Sequence, residues 1–196
     1  PPGVRVSRMI ESVQVLRGLF APGEFSFHGE FYDIEGLDGT PEPHRPGGPP
    51  ILIGAGAPRM LRHAGANADI VGINPSIHSG EIDEAAARDA QVDRIDQKVG
   101  WVREGAGDRF DDLELNAWLA VAEITDDPAA LAEMLAPAFG AQPDDLLDSP
   151  MVMIGSIDQL AEQIQARRER WGYSYHVIPG DAAISFAPLI ARMTGS

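Results

Sequence analysis

The feature that most constrains the fold is a short apolar run that ends in very small residues. In the stretch PPILIGAGAPRM, residues 49–60, Ile51, Leu52 and Ile53 lead directly into Gly-Ala-Gly-Ala, and a helix-like segment follows. A continuous apolar run without polar alternation is typical of a strand buried on both faces, as in a parallel sheet. The stretch therefore predicts one unit of an α/β fold, made of a strand, a tight turn and a helix.

The same order of elements recurs along the chain. Apolar runs predict further strands, and amphipathic segments between them predict helices. The predicted strands are 51–54, 69–75, 113–124 and 173–179, and the predicted helices are 58–66, 84–105, a helix from 128, 156–170 and 186–193. A helix at 8–20 and a hairpin at 24–34 come first. Residues 151–155 form either a small strand or a buried connector.

Such alternation indicates parallel β/α units, arranged as a barrel or as a doubly wound sheet. Four units are half of an eight-unit barrel, and a whole barrel usually needs about 250 residues. The chain has 196 residues, of which 44% are hydrophobic, and this is enough for one sizeable core. We therefore expect a single α/β domain over residues 1–196, and the opening Pro-Pro-Gly before a helix suggests a piece of something longer.

Composition argues against several classes of function. The formal net charge is −15, which repels phosphate backbones, so we expect no nucleic-acid partner. The chain has no cysteine, which excludes disulfides and thiolate nucleophiles. Its apolar runs are far shorter than the roughly 20 residues that cross a bilayer, and no basic-then-apolar leader is present. We expect a cytoplasmic protein without a membrane partner.

The small residues Gly54, Ala55, Gly56 and Ala57 lie where a predicted strand ends and a helix begins. In parallel β/α folds ligands bind at such ends, and small side chains let backbone N–H groups approach a phosphate closely. A tight turn in which glycine solves only a backbone problem explains the spacing equally well. The pattern is neither a P-loop nor Gly-x-Gly-x-x-Gly, because Arg59 occupies the third glycine position.

Two further residues are candidates for contact with a substrate. Asn74 directly follows the second predicted strand, and His78 lies in the loop after it. A turn residue before Pro75 and an exposed loop histidine are the alternatives. No histidines have metal-ligand spacing and no His-Glu-x-x-His occurs, so we predict no metal site.

Several large side chains are interpreted as structural. Trp101, Trp118 and Trp171 do not cluster in the sequence, which favours packing positions over a stacking platform. His176 lies within the last predicted strand, where we expect a buried histidine with its hydrogen bonds satisfied.

Three segments, taken together, resemble the bacterial-luciferase-like flavin and deazaflavin oxidoreductases. The first is PPILIGAGAPRMLRHAGANADIVGINP, with a strand that ends in small residues and a helix that ends in Ala-Asp. The second is RMIESVQVLRGLFAPGEFSFHGEFYDI, which is similar to the helix and hairpin before that strand. The third is MIGSIDQLAEQIQARRERWGYSYHVI, which is similar to the family's closing helix and last strand. The resemblance covers nearly the whole chain and is greatest to the branch that uses coenzyme F420.

The resemblance implies a luciferase-like (β/α)8 TIM barrel of which this chain holds strands five to eight and a hairpin insertion. The chain would then be a single domain that is incomplete at its N-terminal side. Gly54, Ala55, Gly56 and Ala57 match the turn whose backbone holds the phosphate-bearing tail of the cofactor. Ala57 departs from family members that have a third glycine. The family's catalytic residues follow the early strands, so the catalytic residues stay unassigned.

The resemblance also implies a function. We expect an oxidoreductase that transfers a hydride between F420 and a small organic substrate, in a protein that forms a homodimer. An FMN-dependent monooxygenase is the alternative within the family. An alternative of another class is a catalytically silent half-barrel with a structural or partner-binding role.

Overall fold

The computed structural model describes residues 2–77 and 83–194. The chain divides into two compact units, one that ends at Ile51 and one that begins at Leu52, and each is described by itself. No helix in these described stretches is long and apolar enough to cross a membrane.

The first unit consists of one helix and one hairpin. Helix α1 (Pro2–Leu19) begins earlier than the predicted range of 8–20. Strands β1 (Glu24–His28) and β2 (Asp33–Asp38) pair antiparallel, which confirms the predicted hairpin.

A single carboxylate joins the helix and the hairpin of this unit. The oxygens of Glu11 on α1 accept the backbone N–H groups of Glu30, Phe31 and Tyr32 at 2.9, 2.9 and 3.3 Å. Burial opposes ionisation of Glu11, but these three bonds outweigh it and hold the pKa of the carboxyl below its usual value. The turn between β1 and β2 is therefore fixed to α1 by an ionised side chain.

The second unit alternates strands and helices. In chain order its elements are β3 (Leu52–Ala55), α2 (Pro58–Asn67), β4 (Ile70–Ile73), α3 (Glu84–Arg88), α4 (Val92–Ala106), β5 (Glu114–Trp118), β6 (Val121–Ile124), α5 (Pro128–Phe139), α6 (Pro143–Asp148), β7 (Val152–Gly155), α7 (Ile157–Trp171), β8 (Tyr173–Val177) and α8 (Ala187–Met193).

Four of these strands form one parallel sheet in the order β3, β4, β5, β8. The register aligns one row of residues across all four strands, Gly54, Gly72, Asn116 and Tyr175. The predicted parallel β/α arrangement is confirmed, and the sheet is open along β3 and along β8 within the described residues.

The prediction of one long strand over 113–124 is wrong. The chain leaves the main sheet after β5: Leu119 N still donates to Val177 O of β8, whereas Ala120 N donates to Met151 O. From there β6 pairs in parallel with β7 in a separate two-stranded sheet. The apolar run continues through the break because both sheets bury it. Of the two predictions for residues 151–155, a small strand or a buried connector, the structure shows the strand, β7.

The predicted helix over 84–105 is also interrupted. It forms two helices, α3 and α4, with a break around Asp89. The Asp89 side chain accepts hydrogen bonds from Lys98 Nζ and from the Ser76 backbone. The helical periodicity of the sequence does not reveal this break, because it does not report that the Asp89 side chain bonds to Lys98, nine residues further on, and to the Ser76 backbone before α3.

The helix starts predicted at residues 128 and 156 are confirmed, and a side chain caps each of them. Asp127 accepts the N–H of Ala130 at the start of α5, and Pro128 follows it as the first helical residue. Ser156 and Gln159 form a reciprocal capping box at the start of α7. Each cap satisfies backbone donors that a helix start leaves without a partner.

Apolar clusters lie on the helices that flank the β6–β7 pair. One cluster lies between this pair and the helices α7 and α8, and the other between the pair and the helices α5 and α6. The largest members of the first are Leu119, Met153, Leu160, Phe186 and Leu189, and members of the second include Ala132, Ala136, Leu146, Val152 and Ile154.

Helices α2 and α4 approach each other so closely that glycine is required at the contact. A Cβ at Gly65 on α2 would overlap the Val102 carbonyl, and a Cβ at Gly105 on α4 would overlap the Arg62 carbonyl. The guanidinium of Arg109 donates to the Gly65 carbonyl at 2.7 Å and so supports the end of α2.

This contact predicts opposite effects of the same substitution at two positions of α4. Gly105→Ala should lower the free energy of unfolding by about 1–3 kcal/mol, because the added methyl collides with a backbone carbonyl. Gly100→Ala is the matched control: its Cβ would meet nothing within 4 Å, so it should gain about 0.5–1 kcal/mol from helix propensity. Urea unfolding of both variants measures the difference, and equal effects would refute the close packing.

Candidate functional site

A groove of about 450 Å³ lies at the carboxyl ends of the parallel strands. Part of its floor is the row of Gly54, Gly72 and Asn116, which are partners in neighbouring strands. The two glycines leave β3 and β4 without side chains at this level, so the backbone itself forms the floor there. Strand ends of this kind are where β/α folds bind ligands.

The structure separates the roles of the two glycines in the small-residue turn. A Cβ at Gly56 would lie 2.7 Å from Asn74 O and 2.8 Å from the Pro75 backbone, so glycine is needed because the two strand ends nearly touch. A Cβ at Gly54 would meet only the Asn74 side-chain amide, at 3.1 Å. Neither glycine has a positive φ. Close packing therefore requires glycine at position 56, whereas the absence of a side chain at Gly54 leaves space in the groove.

The rest of the turn leads into α2 without a side-chain cap. Ala55 is buried, and its carbonyl accepts the Asn74 N–H at 2.9 Å. Ala57 is exposed and is the N-cap of α2, with Pro58 as the first helical residue and no capping side chain. The first-turn N–H groups of an uncapped helix favour an anion. The N-cap side chain of α2 thus accepts none of the first N–H groups of this helix.

Of the two predicted substrate residues, the described structure contains only Asn74. It follows β4 directly at the rim of the groove, and its side-chain amide faces the position of Gly54. His78 lies outside the described residues, so its predicted contact with substrate stays a prediction.

Two residues that line the groove were not predicted from the sequence to be part of the site. Asn116 is buried in the middle of the groove floor, where its Nδ2 donates to Tyr175 O at 3.1 Å. Trp118 lies two positions further along β5 and is 40% exposed in the groove. The packing role predicted for Trp118 is therefore wrong. The signal in the sequence was that Asn116 lies two positions before Trp118, since strand residues at that spacing share a face.

One buried ion pair supports the rim of the groove. Lys98 on α4 is fully buried, and its Nζ lies 2.6 Å from Asp89 Oδ2. Burial opposes ionisation of Asp89, but hydrogen bonds from Lys98, from the Ser76 backbone and from Arg94 outweigh it and keep the pKa of this carboxyl below its ordinary value. Burial also lowers the pKa of Lys98, and Asp89 opposes that shift.

A second cavity of about 340 Å³ lies away from the strand ends, between β8, α7 and α8. Two of its lining residues have a buried polar atom without a hydrogen-bond partner among the described residues: the hydroxyl of Tyr173 and Nε2 of His176. The expectation that His176 is satisfied is therefore wrong. Burial, assisted by the nearby charge of Arg167, lowers the pKa of His176 to about 4, so the ring is neutral at neutral pH.

Within residues 2–77 and 83–194, no group of three or more acidic or histidine side chains is placed to hold a metal ion. The groove residues described above are amides, aromatic rings and backbone groups.

The model of one family, described as luciferase-like monooxygenase, matches residues 1–175. The chain belongs to the luciferase-like monooxygenase family. The prediction of a luciferase-like α/β barrel, present here only in part, is confirmed by this match and by the parallel β3-β4-β5-β8 sheet. The described residues form no closed barrel.

Relatives in this family include F420-dependent enzymes. The chain is 29% identical over 167 residues to an F420-dependent glucose-6-phosphate dehydrogenase of Rhodococcus hoagii, covering 84% of this chain and 46% of the relative. It is 37% identical over 107 residues to an uncharacterized protein of Mycobacterium tuberculosis, covering 55% of this chain and 32% of that protein. The chain thus spans half or less of the length of these relatives.

Solved structures of luciferase-like proteins share the fold. An F420-dependent secondary alcohol dehydrogenase in complex with an F420-acetone adduct superposes with a TM-score of 0.58 at 16% identity, over 89% of this chain and 56% of that one. A monooxygenase of Streptomyces bottropensis superposes with a TM-score of 0.62 at 15% identity, over 96% of this chain and 60% of that one. At these sequence identities the similarity shows a shared fold only.

In this luciferase-like chain the two glycines of the turn should respond differently to substitution. Gly56→Ala should lower the free energy of unfolding by about 1–3 kcal/mol, because its methyl meets the rigid backbone of Asn74 and Pro75. Gly54→Ala should change the free energy of unfolding by less than about 1 kcal/mol, because only a movable side-chain amide lies nearby. Guanidinium unfolding of the two variants makes the comparison, and a larger loss at Gly54 would contradict the assignment.

The ion pair at the rim predicts a pH-dependent stability. The folded-state pKa of Asp89 lies below its ordinary value of 3.8, so its contribution is fully present above that value and is lost as pH falls through the folded-state pKa. At neutral pH, Asp89→Asn should lower the free energy of unfolding by about 3 kcal/mol, since it leaves the Lys98 charge without its partner.

The difference in free energy of unfolding between wild type and Asp89→Asn should then narrow as pH falls below about 4, because the carboxyl of the unfolded chain binds a proton first and the folded carboxyl does so only at lower pH. Urea unfolding from about pH 7 to about pH 3 tests this, with the exposed Asp144→Asn as control. A gap that stays constant over this range would show that the Asp89 charge does not contribute.

Proposed function

We propose that this protein is an oxidoreductase that uses coenzyme F420 and transfers a hydride between it and a small organic substrate. The observation that carries the proposal is the sequence likeness to F420-dependent glucose-6-phosphate dehydrogenases, which runs over 84% of this chain in the Rhodococcus hoagii enzyme. The groove at the strand ends lies within the region that the family model matches. The substrate of those relatives is not carried over to this protein.

In this proposal the turn at Gly54, Ala55, Gly56 and Ala57 holds the phosphate-bearing tail of the cofactor. The uncapped start of α2 supplies N–H donors and a positive dipole end. Gly54 leaves open space beside those donors. Gly56 contributes indirectly, because it lets the β4 end close against the turn and complete the rim.

The groove residues position the reactants and keep water out, and the bound cofactor supplies the hydride chemistry. Trp118 gives the groove a large flat apolar wall, and Leu52, 45% exposed, adds apolar surface on β3. Asn74 at the rim and Asn116 on the floor are amides that can donate and accept hydrogen bonds to polar groups of the cofactor ring or of a substrate. We propose Asn74 as a residue that contacts the substrate.

An FMN-dependent monooxygenase is the second candidate. The family model carries the monooxygenase description, and the structural neighbours include a Baeyer-Villiger monooxygenase in complex with FMN, which superposes with a TM-score of 0.51. FMN also carries a phosphate on its tail, so in this proposal the same turn serves either cofactor. A catalytically silent barrel fragment is the third outcome, and homodimer formation stays a prediction.

A titration with both cofactors tests the proposal. The complete protein should quench or enhance the fluorescence of F420 on binding, and F420 should bind more tightly than FMN. Trp118→Ala should weaken F420 binding about tenfold, equivalent to 1.4 kcal/mol, because it removes the largest apolar wall of the groove.

Trp101→Ala is the matched control in this titration. Trp101 lies on α4 outside the groove, with the Arg62 guanidinium 5.9 Å above its ring, so its removal should leave the dissociation constant unchanged. A response to FMN without one to F420 would replace the proposed cofactor. Binding of neither would favour the silent fragment.

A further inference from the structure

The chain contains a single lysine, and the fold buries it completely. Lys98 is the only lysine in the sequence, against fourteen arginines, and its side chain has no exposed surface. Its Nζ donates to Asn74 O at 2.9 Å, to Asp89 O at 2.9 Å and to Asp89 Oδ2 at 2.6 Å. All three ammonium protons therefore have an acceptor.

The bonds of Lys98 converge on the segment at the rim of the groove. Besides the contact to Asn74 O, the carboxylate that Lys98 holds accepts the Ser76 N–H at 2.7 Å. On its other side the segment is bonded to the small-residue turn, because Asn74 N donates to Ala55 O. The Asn74 carbonyl that Lys98 binds is also the atom that excludes a Cβ at Gly56.

We propose that Lys98 is a positioning residue of the cofactor site, which acts by clamping the segment Asn74–Ser76 against the turn at Gly54–Ala57. This inference rests on the proposed function only for the identity of the ligand. The clamp fixes the distance between the segment Asn74–Ser76 and the turn Gly54–Ala57. It thereby sets the width of the groove where the cofactor tail would bind.

The geometry explains why this position is a lysine in a chain that otherwise uses arginine. Three acceptors surround one atom, which suits the tetrahedral ammonium group. A planar guanidinium spreads its donors in a fork and needs more volume than a fully buried site offers. A buried ion pair is often no more stabilising than apolar residues of similar size, so what the pair adds here is a fixed position for the rim.

The chain provides a matched control in a second buried cation. Arg167 on α7 is also buried, and its guanidinium donates to the carbonyls of Ser149 and Val152 at 3.0 and 2.8 Å. These carbonyls belong to the segment that leads into β7, away from β3 and β4. The hydrogen bonds of Arg167 do not involve Asn74–Ser76, so its loss should cost stability without loosening that segment.

The experiment compares Lys98→Met with Arg167→Met in the complete protein. Amide hydrogen exchange should show Ser76 and Asn74 exchanging about tenfold faster in Lys98→Met than global unfolding alone accounts for. Titration with F420 should show a dissociation constant about tenfold higher. Arg167→Met should change neither signal beyond its effect on global stability, and Lys98→Arg should not restore the wild-type values.

If Lys98→Met does not fold, Asp89→Asn tests the same proposal, because it keeps the lysine but removes its charged partner. It should also speed hydrogen exchange at Asn74 and Ser76 and raise the dissociation constant for F420. Equal effects of Lys98→Met and Arg167→Met would overturn the proposal and leave Lys98 a structural residue. Wild-type protein that binds neither F420 nor FMN would refute the proposed function, whereas the hydrogen-exchange comparison would still decide on the clamp.

Discussion

The arrangement of the groove depends on the near contact between the ends of two adjacent parallel strands. At Gly56 the chain has no Cβ because the carbonyl of Asn74 occupies that space, and the same carbonyl is held from behind by the buried ammonium of Lys98. A backbone-to-backbone approach of this kind tolerates little adjustment, since neither side can change rotamer. The turn that leads into α2 and the rim that follows β4 are consequently parts of one rigid edge.

Local patterns in the sequence predicted the elements whose stability is local. The strand predicted over 51–54, the helix start predicted at 156 and the parallel β/α order follow from apolar runs and helical periodicity, and they appear in the structure with shifts of about one residue. The breaks after Trp118 and at Asp89 were missed, because each depends on hydrogen bonds that the periodicity of apolar residues does not report. Ala120 N donates to Met151 O, and Asp89 accepts from Lys98.

The same limit applies to the candidate site. The turn at Gly54 to Ala57 could be found from its small residues, but spacing alone could not tell a glycine needed for packing from one that leaves open space. Register decides this, because it places Gly54 beside Gly72 and Gly72 beside Asn116. The exposure of Trp118 also depends on register and on where β5 leaves the sheet. Three large side chains of this sheet are exposed, Leu52, Trp118 and Tyr175.

The burial of the single lysine has a chemical consequence for the folded chain. An amine-reactive reagent finds no lysine side chain on the surface of the described structure, because the one ε-amino group lies beneath the segment after β4 with all its protons engaged. Acylation of that amine requires α4 to part from its neighbours. The rate at which Lys98 is acylated therefore reports how often this edge of the sheet opens. Mass spectrometry of the peptide that contains Lys98 measures that rate.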